Sequence, residues 1–251
     1  MRTQKDAFPE LDRVKKFFPL GVENPRLLTK AQIDQYNDQG YLCPFDIFNS
    51  EEIAEIRAYF DDLLLKAMAA GWNSYEVTNW HKHCRSVYDL VTNNRILDYV
   101  QDLLGEILIL RHSHFFAKLP GDGKRVSWHQ DASYWPLTPS KVVSAWLAID
   151  DVDVDNGAMQ VIPGSHRLGP IDHRSKTDTV NLLNSEVDPA VVDEEQAVNV
   201  ELDAGDVSVH HPLVLHGSEA NTSDQWRRGG SLQYMPVTTR ITANNWPLSL
   251  I

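Results

Sequence analysis

The sequence predicts a mainly β fold with helices, a cupin-like jelly roll with N-terminal helices packed on its outer sheet. Apolar residues recur at helical spacing before Gly105, and short apolar or alternating runs separated by Gly, Pro, Asp and Asn follow it. A length of 251 residues is enough for one domain with a sizeable core. We therefore predict a single domain over 1–251, mainly helical over about 1–105 and a jelly-roll core over about 106–240.

Three helices are predicted in the first part of the chain. A short one covers residues 29–39. A longer one opens after Asn49, which stands three residues before Glu52 in the spacing of a capping box, and Gly71 can end it. The third covers about 93–104, where apolar side chains at steps of three and four form one face.

The second part contains the runs ILILRHSHFFAKL, VVSAWLAI, AMQVI, DVSVHH and SLQYMPV. Short strands at this spacing are typical of a double-sheet barrel. The stretch from about 171 to 199 interrupts the rhythm, because it is acidic, weakly periodic and rich in Asp, Glu, Ser and Thr. We expect it to form a long loop or lid between strands.

Composition and charge narrow the classes of partner. The net charge of -12 argues against nucleic acid, because clustered Lys and Arg bind a phosphate backbone. No run approaches the roughly eighteen apolar residues of a membrane helix, so we expect no membrane partner. Cys43 and Cys84 are too few for a disulfide framework or a Cys-based zinc site. We expect a cytoplasmic monomer or small homo-oligomer that acts on a small-molecule substrate.

The segment WHQDASYW contains a His-x-Asp triplet, and on a strand His129 and Asp131 would share one face. The candidate third ligand is His216, which follows the run DVSVHH. Two histidines and one carboxylate form the facial triad of non-haem Fe(II) oxygenases. Arg227, eleven residues after His216, suits the far carboxylate of a chelating keto acid. Arg228 is the alternative, because strand register is easily misread by one residue.

In these motifs and their order the chain resembles the phytanoyl-CoA dioxygenase family. FFAKLPGDGK leads into WHQD, and VVSAWLAIDDVDVDNGAMQVIPGSH and then HPLVLHGSEANTSDQWRR follow, so the resemblance covers most of the chain. It implies a double-stranded β-helix and an Fe(II)- and 2-oxoglutarate-dependent dioxygenase that consumes O2. The metal ligands and catalytic residues implied are His129, Asp131 and His216, and Arg227 would bind 2-oxoglutarate.

Further residues near these motifs carry weaker expectations. By the same resemblance, Ser218 supports the carboxylate of 2-oxoglutarate and Trp135 lines the cofactor pocket. A β-core aromatic is usually only packed, however, and a serine at such a place can cap a turn. His210 and His211 point to opposite faces, so at most one approaches the site, and both are interpreted as structural.

The substrate is less well defined by the sequence. Polar side chains on the run before WHQD and in an earlier loop could bind a carboxylate or phosphonate, and the substrate-binding candidates are Asn79, His112, His114 and Lys118. They favour hydroxylation of an aliphatic C–H in a small zwitterion, such as an amino acid or an aminophosphonate like 2-aminoethylphosphonate.

Four alternatives stay open. A halogenase of the same family replaces the carboxylate ligand with a small residue, so Asp131 argues against it. An acyl-CoA hydroxylase is disfavoured by the acidity of the chain. A jelly-roll module with a non-redox metal would not need Arg227, and a zinc hydrolase could use the same three ligands.

Overall fold

Two antiparallel β-sheets make up most of the second part of the chain. The structure is a computed structural model that describes residues 12–75, 77–175 and 180–242. Its strands are β1 (Tyr41–Asp46), β2 (Val77–Thr78), β3 (Leu108–Lys118), β4 (Val126–His129), β5 (Leu137–Thr138), β6 (Val143–Ala148), β7 (Met159–Ile162), β8 (His173–Ser175), β9 (Ser185–Val187), β10 (Val198–Val200), β11 (Asp206–His210), β12 (Leu215–Ser218), β13 (Arg227–Pro236) and β14 (Arg240–Ile241). Its α-helices are α1 (Lys30–Gln39), α2 (Ser50–Ala69), α3 (Arg85–Val91) and α4 (Asn94–Leu104).

The strand order is that of two facing sheets. The larger sheet has six strands in the order β1-β11-β6-β13-β3-β2, and the smaller has four in the order β10-β7-β12-β4. Two further ribbons pair β5 with β14 and β8 with β9. Neighbouring strands in both main sheets run antiparallel. The prediction of a mainly β jelly roll with helices is confirmed.

The central strand β6 shows how the two faces of the larger sheet divide. Val143, Ala145 and Leu147 belong to a core shared with apolar residues of the four helices. Trp146 and Ala148, which alternate with them, pack against residues of β7 and β10 in the smaller sheet. The helices therefore cover the outer face, and the inner face is left for the space between the sheets. No helix among the described residues is long and apolar enough to cross a membrane.

The three predicted helices are present with the predicted starts. Thr29 and Asn49 are the N-caps of α1 and α2, and each forms a complete capping box. Asn93 caps α4 by accepting a hydrogen bond from the backbone N–H of Arg95. The sequence did not predict α3 or β1, and β1 lies within the part expected to be mainly helical. It pairs with β11 at the edge of the larger sheet.

A buried carboxylate in α4 ties the N-terminal segment to the fold. Asp102 is 1% exposed, and its two oxygens accept hydrogen bonds from the backbone N–H groups of Arg26, Leu27 and Leu28, each at 2.8 Å. Hydrogen bonds to a charged acceptor are roughly twice as strong as neutral ones. This one side chain therefore satisfies three successive backbone donors.

Replacing this carboxylate should destabilise the protein. We expect Asp102→Ala to lower the free energy of unfolding by about 3 kcal/mol, because it leaves partly buried N–H groups without an acceptor. The matched control is Asp98→Ala in the same helix, whose exposed ion pair with Arg26 should contribute less than about 1 kcal/mol. Urea unfolding measures both, and equal losses would contradict the role given to Asp102.

Candidate metal centre and adjoining cavity

A cavity of about 330 Å³ lies between the two sheets. Its wall includes His129, Asp131 and His216, and also Ser218 and Arg227. These five residues come from β4, the turn after it, β12 and β13. The fold thus brings together side chains that the sequence placed up to about one hundred residues apart.

The pairing of β4 with β12 places His129 directly opposite His216, with ring centroids 4.0 Å apart. Oδ1 of Asp131 lies 3.5 Å from Nε2 of His129 and 3.8 Å from Nε2 of His216. One donor atom from each residue lies within 4.8 Å of the other two. Two imidazoles and one carboxylate so placed can converge on a single metal ion and leave the remaining coordination positions open.

The local structure around Asp131 differs from the expectation of one continuous strand. β4 ends at His129, and Asp131 begins a short 3-10 helix. The turn is held by a hydrogen bond of 2.9 Å from the Ala132 N–H to the Pro212 carbonyl. The carboxylate therefore reaches the histidines from the turn after the strand and not through alternation along it.

The backbone sets the tautomer of both histidines. Nδ1 of His129 donates to the Ser127 carbonyl at 2.9 Å, and Nδ1 of His216 donates to the Val214 carbonyl at 3.0 Å. Each Nε2 consequently carries the lone pair and faces Asp131. A ring held in this way is the usual arrangement for a histidine that ligates a metal.

The protonation states also suit a metal. Burial, followed by the neighbouring His129, holds the pKa of His216 well below its usual value, so this imidazole is neutral. Burial alone would raise the pKa of Asp131, but the neighbouring side chains of His129, His210 and His216 hold it well below its usual value, so this carboxylate is ionised. Neutral imidazole and ionised carboxylate are the forms that bind a metal ion. The donor set fits Fe(II).

His210 and Ser144 flank the other oxygen of the carboxylate. Oδ2 of Asp131 lies 3.7 Å from Nε2 of His210 and accepts a hydrogen bond of 3.3 Å from the Ser144 hydroxyl. His210 lines the cavity, whereas His211 packs among other rings that include Tyr36. The two histidines face opposite sides, as expected. His210 lies beside Asp131, however, and the interpretation of His210 as structural did not include this contact.

Gln130, between the two predicted ligands, is fully buried and anchors the surrounding loops. Its Nε2 donates to the carbonyls of Gly169 and Leu213 at 2.9 and 2.7 Å, and its Oε1 accepts from the Ile171 N–H at 2.7 Å. The backbone N–H of Gln130 donates to Nε2 of His173 at 3.1 Å. The turn that carries Asp131 is thereby fixed to the start of the 171–199 segment.

Arg227 lies on the inner face of the larger sheet and is 2% exposed. Its guanidinium carbon is 5.2 Å from the ring centre of Phe116 and 5.4 Å from that of Trp146. Within the described part of the chain, its Nε has no hydrogen-bond partner. Burial lowers its pKa to about 10, which leaves it charged at neutral pH. A buried cation in a cavity wall is stabilised by an anionic ligand.

Arg228 occupies the opposite face of the same strand. Its guanidinium pairs with Asp61 of α2 at 2.7 Å and with Asp150 at 2.8 Å. Only Arg227 of the two lines the cavity. The spacing from His216 favoured Arg227 over Arg228, and the orientation of the two side chains on β13 agrees with that choice.

Trp146 lines the cavity together with Tyr75 and Phe116, whereas Trp135 lies elsewhere. Trp135 packs with Leu137, Val142 and Met235, and its ring centre is 4.4 Å from the guanidinium carbon of Arg111. Gly229 makes room for Trp146, because a Cβ at this position would overlap its ring. The sequence feature that could have pointed to Trp146 was thus Gly229 on the neighbouring strand, and not a motif.

One of the four substrate-binding candidates, His114, lines the cavity. The ring centre of His112 lies 6.1 Å from that of His114 on the same strand. Asn79 follows β2, and its backbone N–H donates to the Ser113 carbonyl at 2.7 Å. Lys118 is fully buried behind the wall and contacts Ser218. The four candidates therefore do not form one cluster.

The segment expected to be a lid contributes Leu182 and Leu183 to the cavity wall. Oδ1 of Asn181 accepts a hydrogen bond of 3.0 Å from the Ser127 N–H of β4. The segment also contains β8, β9 and two short 3-10 helices at Pro189–Val191 and Glu194–Gln196. Residues 176–179 of the expected lid lie outside the described residues.

A jelly roll with two histidines and a carboxylate facing a cavity is typical of non-haem metal oxygenases. Comparison with known families gives the more specific assignment. The family model for phytanoyl-CoA dioxygenase matches residues 36–229, which is most of the chain. The chain belongs to the phytanoyl-CoA dioxygenase family, whose members are iron- and 2-oxoglutarate-dependent oxygenases. The predicted enzyme class and cofactors are confirmed at this level.

Individual relatives agree with the family. A probable alpha-ketoglutarate-dependent hypophosphite dioxygenase of Stutzerimonas stutzeri is 28% identical, covering 85% of this chain and 79% of the relative. The peroxisomal phytanoyl-CoA dioxygenase of Rattus norvegicus is 26% identical, covering 83% of this chain and 68% of the relative. Among solved structures, the apo form of ThoJ, a non-heme monooxygenase, has a TM-score of 0.76 at 28% identity, covering 86% of this chain and 82% of that one.

His210 should contribute to metal affinity through Asp131. We expect His210→Phe to weaken metal binding roughly 10- to 100-fold, because the carboxylate loses a neighbour that holds its outer oxygen. The matched control, His83→Phe, removes an exposed histidine and should leave the affinity unchanged. Calorimetric titration with Mn(II) measures both variants. Equal affinity in the wild type and His210→Phe would show that the sheet alone positions Asp131.

Proposed function

We propose that this chain is an Fe(II)- and 2-oxoglutarate-dependent dioxygenase that hydroxylates an aliphatic C–H of a small molecule. His129, Asp131 and His216 would hold the iron. Arg227 and Ser218 would bind the far carboxylate of 2-oxoglutarate. The reaction consumes O2, 2-oxoglutarate and the substrate, and it yields CO2, succinate and the hydroxylated product.

One observation carries this proposal. A single cavity is lined by a two-histidine, one-carboxylate donor set and by a buried guanidinium whose Nε has no partner among the described residues. A metal used only for structure has no need of a cation at this place. A dicarboxylate keto acid that chelates the metal at one end and pairs with Arg227 at the other satisfies both features.

The iron centre supplies the oxidising chemistry when it is bound, and the chain supplies orientation and shelter from water. The sheet holds the two imidazoles through backbone carbonyls, and Phe116 and Trp146 flank the Arg227 guanidinium. Asp131 occupies the position that a halogenase leaves to a halide. Hydroxylation is therefore the outcome that these residues favour.

The size of the cavity favours a small substrate. About 330 Å³ must accommodate 2-oxoglutarate as well, and this is the lower end of the usual range for ligand sites of roughly 300–1,000 Å³. The net charge of -12 also disfavours a polyanion such as an acyl-CoA. The relative from Stutzerimonas stutzeri carries a name that refers to a small phosphorus oxyanion.

The wall offers one donor and one acceptor suited to a zwitterion. Oε1 of Gln233 accepts a hydrogen bond from Nη1 of Arg111, so the Gln233 amide is oriented with its NH2 as the group available to an oxyanion. Nε2 of His114 donates to the Tyr75 carbonyl at 2.6 Å, which leaves its Nδ1 to accept from an ammonium group. Amino acids and aminophosphonates carry both groups. Segment 171–199 would cover the bound substrate through Leu182 and Leu183.

Removing Arg227 should impair cosubstrate binding selectively. In anaerobic titrations of the Fe(II)-loaded protein, we expect Arg227→Ala to need roughly 10- to 100-fold more 2-oxoglutarate to reach the visible charge-transfer band, since a charge-assisted pair contributes about 1.5–3 kcal/mol. The control Arg228→Ala removes the neighbouring guanidinium on the opposite face and should titrate like the wild type.

The same titration includes a variant of the metal site, and two results would contradict the assignment of Arg227. Asp131→Ala, which lacks the carboxylate ligand, should give no band. A wild type without a band, or an Arg227→Ala variant with unchanged affinity, would reject the cosubstrate assignment.

The substrate class can be tested by substrate-dependent succinate release. We expect release with amino acids or 2-aminoethylphosphonate and none with phytanoyl-CoA. Gln233→Leu should then raise the KM for the active compound at least about tenfold, because an oxyanion loses its donor. Gln160→Leu, on β7 outside the cavity wall, is the matched control. Release with the acyl-CoA alone would reject the small-zwitterion proposal and leave the enzyme class intact.

A further inference from the structure

Lys118 is a fully buried lysine directly behind the site proposed for 2-oxoglutarate. It is the last residue of β3 and the register partner of Arg227 on β13. Its Nζ donates to Oγ of Ser218 at 2.8 Å and to the carbonyl of Glu219. The amine therefore joins the end of β3 to the end of β12, at the point where Ser218 and Arg227 enter the cavity wall.

A neighbouring turn closes over this amine. A Cβ added to Gly157 would lie 2.9 Å from Nζ of Lys118 and 2.6 Å from the Glu219 carbonyl oxygen, and Gly157 has a φ of +84°. Burial, and after it the charge of Arg227, lowers the pKa of Lys118 to about 6. Burying such a group is costly, so a purely packing role would be filled better by an apolar side chain of the same length.

The hydrogen bonds of Ser218 give the amine a direct effect on the cavity. A serine hydroxyl has one proton to donate and two lone pairs that accept. Lys118 has at least two N–H bonds in either protonation state, one for the Ser218 oxygen and one for the Glu219 carbonyl. With a lone pair of Oγ so occupied, the Ser218 proton turns away from Lys118. Ser218 and Arg227 line the same cavity, so the free proton is available to an anion bound there.

We propose that Lys118 is a positioning residue for 2-oxoglutarate, which directs the Ser218 hydroxyl toward the carboxylate paired with Arg227. This inference rests on the proposed function, because it assumes that the anion is the far carboxylate of 2-oxoglutarate. It replaces the expectation that Lys118 itself binds the substrate. Lys118 does not line the cavity, so it would contact neither 2-oxoglutarate nor the substrate.

The test compares two keto acids that differ only at their far end. Calorimetry on the Mn(II)-loaded protein measures the affinity for 2-oxoglutarate and for 2-oxovalerate, which has a methyl group in place of the far carboxylate. We expect Lys118→Met to weaken 2-oxoglutarate about tenfold, the value of one hydrogen bond to a charged group, and to leave 2-oxovalerate unchanged. A structural defect would weaken both ligands alike and would overturn the proposal.

A double-mutant cycle with Ser218 provides the second readout. Ser218→Ala should show the same selective loss, and Lys118→Met in the Ser218→Ala background should weaken 2-oxoglutarate no further, because both act through one hydroxyl. Additive losses would mean that Lys118 acts independently of Ser218 and would overturn the proposal. A Lys118→Met protein with wild-type affinity for 2-oxoglutarate would overturn it too.

Failure of the proposed function has a different signature. A wild-type protein that binds the two keto acids equally would show that no group recognises the far carboxylate, and both inferences would then fall. If Lys118→Met proves unstable, Ser218→Ala alone still decides whether the hydroxyl distinguishes the two ligands. A Ser218→Ala protein that retains full discrimination removes the target through which Lys118 is proposed to act.

Discussion

The antiparallel pairing of β12 with β4 is the constraint on which the site depends. It sets His216 opposite His129, while β7 pairs with the other edge of β12 and holds it from both sides. Each imidazole then donates to a carbonyl two residues earlier in its own chain segment. A slip of one residue would send β12 side chains to the other face of the sheet. The register of one short strand thus determines whether the donor set exists.

Alternation along β13 gives two adjacent arginines unlike environments. Arg228 faces α2 and has Asp61 and Asp150 as partners, so its charge is balanced within the protein. Arg227 faces inward beside two aromatic rings and lines the cavity. The ion pairs of Arg228 fix the start of β13, and Arg227 lies on the same strand. Two residues of the same type therefore differ in environment: Arg228 is paired within the protein, and Arg227 faces the cavity.

Much of the fold and of the site could be predicted because the information is local. Capping residues and apolar spacing identify α1, α2 and α4, and a short motif identifies His129 and Asp131. What was missed depends on distant pairing. β1 is a strand only because β11 pairs with it. The register shift between Gln233 and Tyr234 of β13 makes Arg111 an extra residue opposite β13, so alternation counted along β3 does not reveal its contact with Gln233. The contacts of Lys118 and His210 likewise arise across strands.

Gln130 links the turn that carries Asp131 to the segment that follows residue 170. Its side chain fastens Gly169, Ile171 and Leu213 to the turn that carries Asp131. Segment 171–199 is thus tied down at Ile171, next to the donor set, and again at Asn181, which accepts from the Ser127 N–H, while Leu182 and Leu183 face the cavity. The side chains of Leu182 and Leu183 shape the cavity wall, whereas the hydrogen bonds that hold the Asp131 turn involve other residues. The residues that shape this side of the cavity are therefore different from those that position the carboxylate.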